Sequence, residues 1–217
     1  MNYEILSSSS KGNCIVIEQF LMLDCGLSYS KIKDYLKNIK VIFISHCHQD
    51  HIKNSTIKQI AYNYPNIKYI VGSEYVMYQL ATKCNVDKKN IYALKKDKWY
   101  SLGLVNVKLD QLTHDTPNYA LEWEFQGKKG IYVVDTETVD GIVAKNYDLY
   151  LIEANYCEDI LKEHIENCQN EEEMYYLNRV PNTHLSYEQA NKFLLDNMGN
   201  YSKYHYIHQS NYNFKEE

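Results

Sequence analysis

The chain begins as a series of short apolar runs set between polar turns. Residues 3–6, 15–18 and 20–24 read as strands, and the polar loop 7–13 joins the first two. A helical period covers 30–36, and then Val41-Ile42-Phe43-Ile44 forms an unbroken apolar run. Such a run suits a strand buried on both faces, and this one leads directly into His46. Helix resumes near Ser55, with Ile57, Ile60 and Ala61 on one face. A strand at 69–71 and a helix at 74–82 follow, then strands at 105–109, 120–124, 131–134 and 149–152. Helical patterns at 160–165 and 187–195 and a last strand at 204–207 complete the series. Strands dominate early, helices are interspersed throughout, and no linker or solenoid repeat interrupts them. The pattern predicts two packed sheets covered by helices, with residues 1–217 forming one domain.

Composition adds bounds rather than chemistry. With 45% hydrophobic and 24% charged residues the chain has an ordinary globular mix and can bury a substantial core. Its 22 tyrosines fit either an A/T-rich coding sequence, which would also enrich Asn, Lys and Ile, or a tyrosine-rich binding surface. A formal net charge of −5 does not suggest a protein held on nucleic acid by a strongly basic face, although a local basic patch is compatible with it. The six cysteines make no CxxC pair, the first residues carry no signal-peptide pattern, and no apolar run is long enough to span a membrane. These features predict reduced thiols in a cytoplasmic protein, with a Cys157–Cys168 redox pair as the alternative.

Three of the eight histidines, His46, His48 and His51, fall within six residues, with Asp50 among them. In extended backbone alternate side chains share one side, so His46 and His48 would point together, and a turn would bring Asp50 and His51 to the same cavity. Imidazoles and carboxylates are ligands for zinc, manganese or iron. A polar loop that happens to be rich in histidine is the alternative, but four ligand-type residues behind a buried strand argue for a metal site. His114, Asp135 and His208 each lie just past an apolar run, where loops on a rigid scaffold carry function. Any one of them alone would read as a surface or capping residue.

These segments carry a family resemblance. Ser45-His46-Cys47-His48-Gln49-Asp50-His51, Thr113-His114-Asp115, Val134-Asp135-Thr136, Thr183-His184-Leu185-Ser186 and His208-Gln209-Ser210 resemble the motifs of metallo-β-lactamase fold hydrolases, with Cys47 and Gln49 as spacers. Within that superfamily the chain is most similar to a bacterial exonuclease-like branch, through the Ser-rich loop 7–13, Glu153-Ala154-Asn155 and Thr183 to Ser186. The ribonuclease Z group is a more distant relative. The resemblance implies an α/β fold, an αββα four-layer sandwich of two mixed β-sheets flanked by helices. It implies two divalent metal ions, Zn2+ or Mn2+, one held by His46, His48 and His114 and the other by Asp50, His51 and His208, with Asp135 shared. It further implies a water made acidic between the ions, Asp50 and His184 as catalytic groups, and Asn155 and Ser186 as substrate contacts. Glu153 or Asn155 could hold the His184 ring. Ser186 could equally cap the helix that follows, with His184 a residue of the helix approach.

The implied substrate is a phosphodiester. A nuclease is the first expectation and a small-molecule phosphodiesterase acting on cyclic nucleotides, as in phage enzymes that remove immune signals, is the alternative. A lactonase, thioesterase or β-lactamase fits less well, because the His184 and Asn155 segments resemble the phosphodiesterase branches. The branch's stretch before the His-Leu-Ser motif is typically basic, yet here residues 158–173 are acidic and only Arg179 is positive near the motif, which weakens polynucleotide binding. The Lys88, Lys89, Lys95, Lys96 and Lys98 cluster reads as a phosphate track or a solvated flank, and Tyr175 and Tyr176 as base-stacking or packing residues. A homodimer is compatible with all of this.

Overall fold

A computed structural model describes residues 1–210. Twelve strands form two mixed six-stranded sheets. The first sheet runs in the order β1 (Tyr3–Ser9), β2 (Gly12–Ile17), β3 (Leu21–Leu23), β4 (Val41–Ile44), β5 (Lys68–Val71) and β6 (Ile91–Ala93). Its first three strands are antiparallel neighbours and its last four are parallel. The second sheet runs β12 (Lys203–Ile207), β11 (Leu149–Glu153), β10 (Lys128–Val133), β9 (Asn118–Phe125), β8 (Asn106–Leu112) and β7 (Tyr100–Ser101). Here β7 to β10 are antiparallel, whereas β10, β11 and β12 are parallel.

The period-2 alternation of the strands builds the layers. Val41 and Phe43 of β4 face the second sheet, where they join Ile15, Leu23, Leu109, Trp123, Tyr132 and Leu151 in the inter-sheet core. Ile42 and Ile44 face the other way, onto α1 (Tyr29–Ile32), α2 (Asn54–Asn63) and α3 (Glu74–Lys83), through Ile32, Ile57, Ile60, Val76 and Leu80. Ile131, Val133, Tyr150 and Ile152 leave the second sheet on its outer side and pack on α6 (Tyr187–Asn197) through Ala190, Phe193 and Leu194. The result is the expected four-layer sandwich with helices outside two sheets. Each central strand is apolar on both faces because it is covered on both.

Three local expectations shift. The 30–36 helix is a single turn, Tyr29–Ile32, and the chain then proceeds through turns to Ile39. The strands β6 and β7 have only three and two residues, too short to show a period in sequence. The acidic stretch folds as two helices, α4 (Glu158–Asn167) and α5 (Glu171–Arg179), which pack together through Leu161, Leu177 and Val180. All six cysteines are free thiols. Among the described residues no helix is long and apolar enough to cross a membrane.

Candidate metal centre

The candidate residues come from the ends of elements in both sheets. The loop after β4 carries His46, His48, Asp50 and His51. His114 follows β8, Asp135 follows β10, and His208 follows β12. Asp135 and His208 have φ of 50° and 51°, and Asp24, at the end of β3, has φ of 56°. Non-glycine residues in this left-handed region gather where the surrounding structure holds them for function. The loop itself is clamped by backbone: Asn13 N donates to Asp50 O, Cys25 N to His51 O and Lys53 N to Cys25 O. Gly26 permits the close approach, because a Cβ there would lie 1.7 Å from the Asp50 carbonyl oxygen. Cys47 packs against the apolar cluster beneath the first sheet and Gln49 is exposed, so both are spacers.

These side chains converge in two groups whose ligand atoms all lie within 4.8 Å of one another: His46, His48, His114 and Asp135; and Asp50, His51, Asp135 and His208. Asp135 belongs to both. Its Oδ2 lies 3.4 Å from His46 Nε2 and 2.9 Å from His51 Nε2, and its Oδ1 lies 3.2 Å from His208 Nε2. Among the described residues, the fully buried His46 Nε2 has no hydrogen-bond partner. A buried polar atom without a partner is costly, and here it faces the cluster, as a ligand atom would. Burial, reinforced by His51, holds His46 well below the usual imidazole range, and burial also lowers His114, so both are neutral and able to ligate. His51 moves the opposite way. Burial opposes its charge, but Asp135 and Asp24 outweigh burial and raise it well above the ordinary value. Asp135 stays far below the carboxylate range, because His208 and His51 outweigh its desolvation. The carboxylates thus favour positive charge among them, and the nitrogen and oxygen donor set suits a divalent ion such as zinc or manganese.

Residues behind the ligands fix their orientation, and the sequence did not single most of them out. The buried Asp24 carboxylate accepts from His51 Nδ1 at 2.6 Å, from Ser45 N and Ser45 Oγ at 2.8 Å each, and from Tyr132 OH at 2.8 Å. Ser45 Oγ also lies 3.0 Å from His46 Nδ1. Asn13 reaches the second group, with its Oδ1 3.2 Å from His208 Nδ1 and its Nδ2 3.2 Å from Asp50 Oδ2. Asp24 was readable in principle as an acid closing an apolar run, the same signal that marked Asp135.

His184 stands beside both groups. Its Nδ1 lies 2.7 Å from Glu153 Oε1 and 3.5 Å from Asp135 Oδ1, and its ring stacks on His208 with centroids 5.4 Å apart. Asp135, Glu153, His184 and His208 therefore form a third close cluster. Of the two holders considered for His184, Glu153 takes the role. Asn155 instead donates to the His208 carbonyl oxygen at 2.8 Å and steadies the loop that carries His208. Ser186 is fully buried, caps α6 in a reciprocal capping box with Gln189, and donates to Glu158 Oε1 at 2.8 Å. Expected as substrate contacts, Asn155 and Ser186 are occupied in holding elements of the fold. His205 is exposed and edges onto the Tyr3 ring, and the Lys88 to Lys98 residues lie exposed on the connection leading through β6 to β7. A pocket of about 200 Å3 opens over the cluster, with Tyr176, Arg179 and Val180 on its far side.

The four-layer sandwich and a His/Asp centre at its strand ends define a metallo-β-lactamase fold protein. A family described as the beta-lactamase superfamily domain matches residues 21–204, and the chain belongs to it. Solved structures agree on the fold. The metallo-β-lactamase fold protein YhfI from Bacillus subtilis is 17% identical, with a TM-score of 0.63 over 88% of this chain and 79% of that one. The short form of human tRNase Z is 14% identical, with a TM-score of 0.66 over 96% of this chain and 92% of that one. Zn2+-bound PqqB from Methylobacterium extorquens is 11% identical, with a TM-score of 0.66 over 98% and 90%. No curated protein matches the chain by sequence.

Proposed function

We propose that the protein is a metal-dependent phosphodiester hydrolase with two divalent ions, Zn2+ or Mn2+, held by the His46/His48/His114 and Asp50/His51/His208 groups and sharing Asp135. The observation that carries the reading is the Glu153–His184 pair set against those groups. A thioester can lose its thiolate without help, whereas a phosphodiester needs a proton for its departing alkoxide, and His184 is placed to give one. The human tRNase Z among the structural neighbours acts, by its name, on RNA, which supports a phosphodiester substrate.

When bound, the ions would make a water acidic and offset negative charge on the phosphate oxygens. Asp50, part-exposed at the pocket and held 3.1 Å from His51 Nε2, would help hold an ion and orient the attacking water. Glu153 holds His184 Nδ1, which leaves Nε2 to donate to the leaving oxygen. Burial disfavours the His184 charge, but Glu153, together with Asp135, outweighs it and lifts the pKa to about 11, which favours the protonated ring that a general acid needs.

His184→Ala in manganese-loaded protein is the direct test. Turnover of bis(p-nitrophenyl) phosphate should fall by roughly 10²–10⁴-fold, while metal content measured by plasma mass spectrometry stays at two ions per chain. Loss of an ion in that variant would make His184 a ligand through the third cluster and remove the general acid from the scheme.

A further inference from the structure

We infer that α5 reads the substrate, with Arg179 gripping a phosphate oxygen and Tyr176 stacking on one base, so that the substrate is a small nucleotide phosphodiester such as a cyclic mononucleotide. The inference rests on the phosphodiesterase reading above and narrows it.

Arg179 is the single arginine of a chain whose other basic residues are all lysine. A point charge is therefore supplied by lysine everywhere else. What only arginine offers is a rigid planar fork that matches phosphate oxygens two at a time. The fork stands at the mouth of the metal centre. Its Nη2 donates to Asp115 Oδ2 at 2.5 Å, and the other oxygen of that carboxylate lies 3.3 Å from His48 Nε2 and 3.2 Å from His114 Nε2. Arg179 is thus tethered one carboxylate away from the ligand histidines. Among the described residues that is the one hydrogen bond its guanidinium makes, which leaves the rest of its five N–H donors for a ligand.

Tyr176 precedes Arg179 by three residues on the same helix, so the two side chains share a face. Its ring is half exposed, at 50%, and lines the same pocket. An exposed aromatic face next to a phosphate-binding fork is the arrangement that holds a base beside its phosphate.

Charge restricts what else can enter. The pocket of about 200 Å3 is an open cleft between the ligand cluster and α5. Beyond it a continuing strand would meet four carboxylates on α4 and three in the first turn of α5, against Lys162 and Arg179 alone. That surface repels a phosphate backbone. The lysines at 88–98 do not line the pocket.

The test uses the full chain loaded with Mn2+ and three probes: bis(p-nitrophenyl) phosphate, a set of cyclic mononucleotides including cyclic AMP, and a single-stranded oligonucleotide. Cyclic mononucleotides should be turned over with a higher kcat/KM than the oligonucleotide. Tyr176→Ala should raise KM for them by roughly fivefold to a hundredfold, with a smaller change in kcat, and Tyr176→Phe should restore it. Arg179→Lys should resemble Arg179→Ala, since the charge survives but the fork does not. Unchanged KM for the nucleotides in the Tyr176 and Arg179 variants, turnover of bis(p-nitrophenyl) phosphate alone, or preferred cleavage of the oligonucleotide would each overturn the inference and leave the phosphodiesterase reading standing. Absence of activity on all three probes in metal-loaded protein would bring down both.

Discussion

Asp24 never touches the open pocket, yet replacing it with asparagine should weaken one of the two proposed metal sites. The carboxylate is fully buried and accepts four hydrogen bonds, the shortest from His51 Nδ1 at 2.6 Å. While Asp24 accepts there, His51 keeps a proton on Nδ1, so the proton that a metal would displace is the one on Nε2, which faces Asp50 and Asp135 3.1 Å and 2.9 Å away. In Asp24→Asn the oxygen that receives Ser45 N is retained, but the second oxygen becomes an NH2 group that faces three former donors. The Ser45 and Tyr132 hydroxyls can rotate; the imidazole can adapt only by moving its proton to Nε2, the atom that must ligate. Asparagine is the informative choice because Asp24 sits at φ 56°, a conformation it shares with aspartate, whereas alanine would add backbone strain. Loss of a charged hydrogen bond is worth about 1.5–3 kcal/mol. That agrees with the roughly 10–100-fold drop in metal affinity, about 1.4–2.7 kcal/mol, expected when the partner of a ligating histidine is removed. Calorimetric titration of apo-protein with Zn2+ should show one site weakened by that factor and the other near its wild-type affinity. Two sites of unchanged affinity, in a variant whose circular dichroism is normal, would refute the idea that Asp24 sets the His51 tautomer.

Other substitutions probe the scaffold around the centre. Gly26→Ala places a methyl group 1.7 Å from the Asp50 carbonyl oxygen, so the ligand loop must shift. Thermal unfolding should report a loss of at least about 1–3 kcal/mol, and metal binding should weaken with it; a variant that melts and binds as wild type would show that the loop yields freely. A separate pH dependence resides on the second sheet, away from the candidate metal centre. Burial, then the neighbouring Glu122, raises Asp110 to about 6, although Lys108 lies 2.9 Å from both acids. A carboxyl group whose folded pKa is raised binds more protons in the folded state. It therefore contributes stability below its unfolded value near 4 that is lost as pH rises through about 6. Asp110→Asn, which keeps a donor towards Glu122 at every pH, should stabilise the protein at about pH 7 and change it little at about pH 4. Equal effects in urea unfolding at the two pH values would contradict the assignment.

What the sequence could and could not reveal follows from how each residue acts. His46, His48, Asp50 and His51 announce themselves because a metal needs several donors at once, and a strand end followed by a turn supplies four of them within six residues. His114, Asp135 and His208 are scattered, but each closes an apolar run, so strand ends recovered by period-2 alternation point to them as well. The residues that tune these ligands leave no such trace. Asp24 lies 27 positions from His51, and Glu153 lies 31 from His184. Their partnership exists only after β3 and β4, or β11 and the approach to α6, have been laid side by side. The same limit explains α5, whose buried side is Leu177 among acids and tyrosines, so apolar periodicity was absent where the helix forms. It also explains Asn155 and Ser186. A motif match gave them a place near the chemistry, but only the packed structure could show that the Asn155 amide was taken by the His208 backbone and the Ser186 hydroxyl by the start of α6 and Glu158. Sequence therefore reports candidate metal-holding atoms better than those that would select a substrate, since ligand sets are constrained by local spacing and the mouth of the pocket by distant packing. Arg179 is the exception. Its rarity within the chain is visible in the sequence, and its place at the pocket is visible only in the structure.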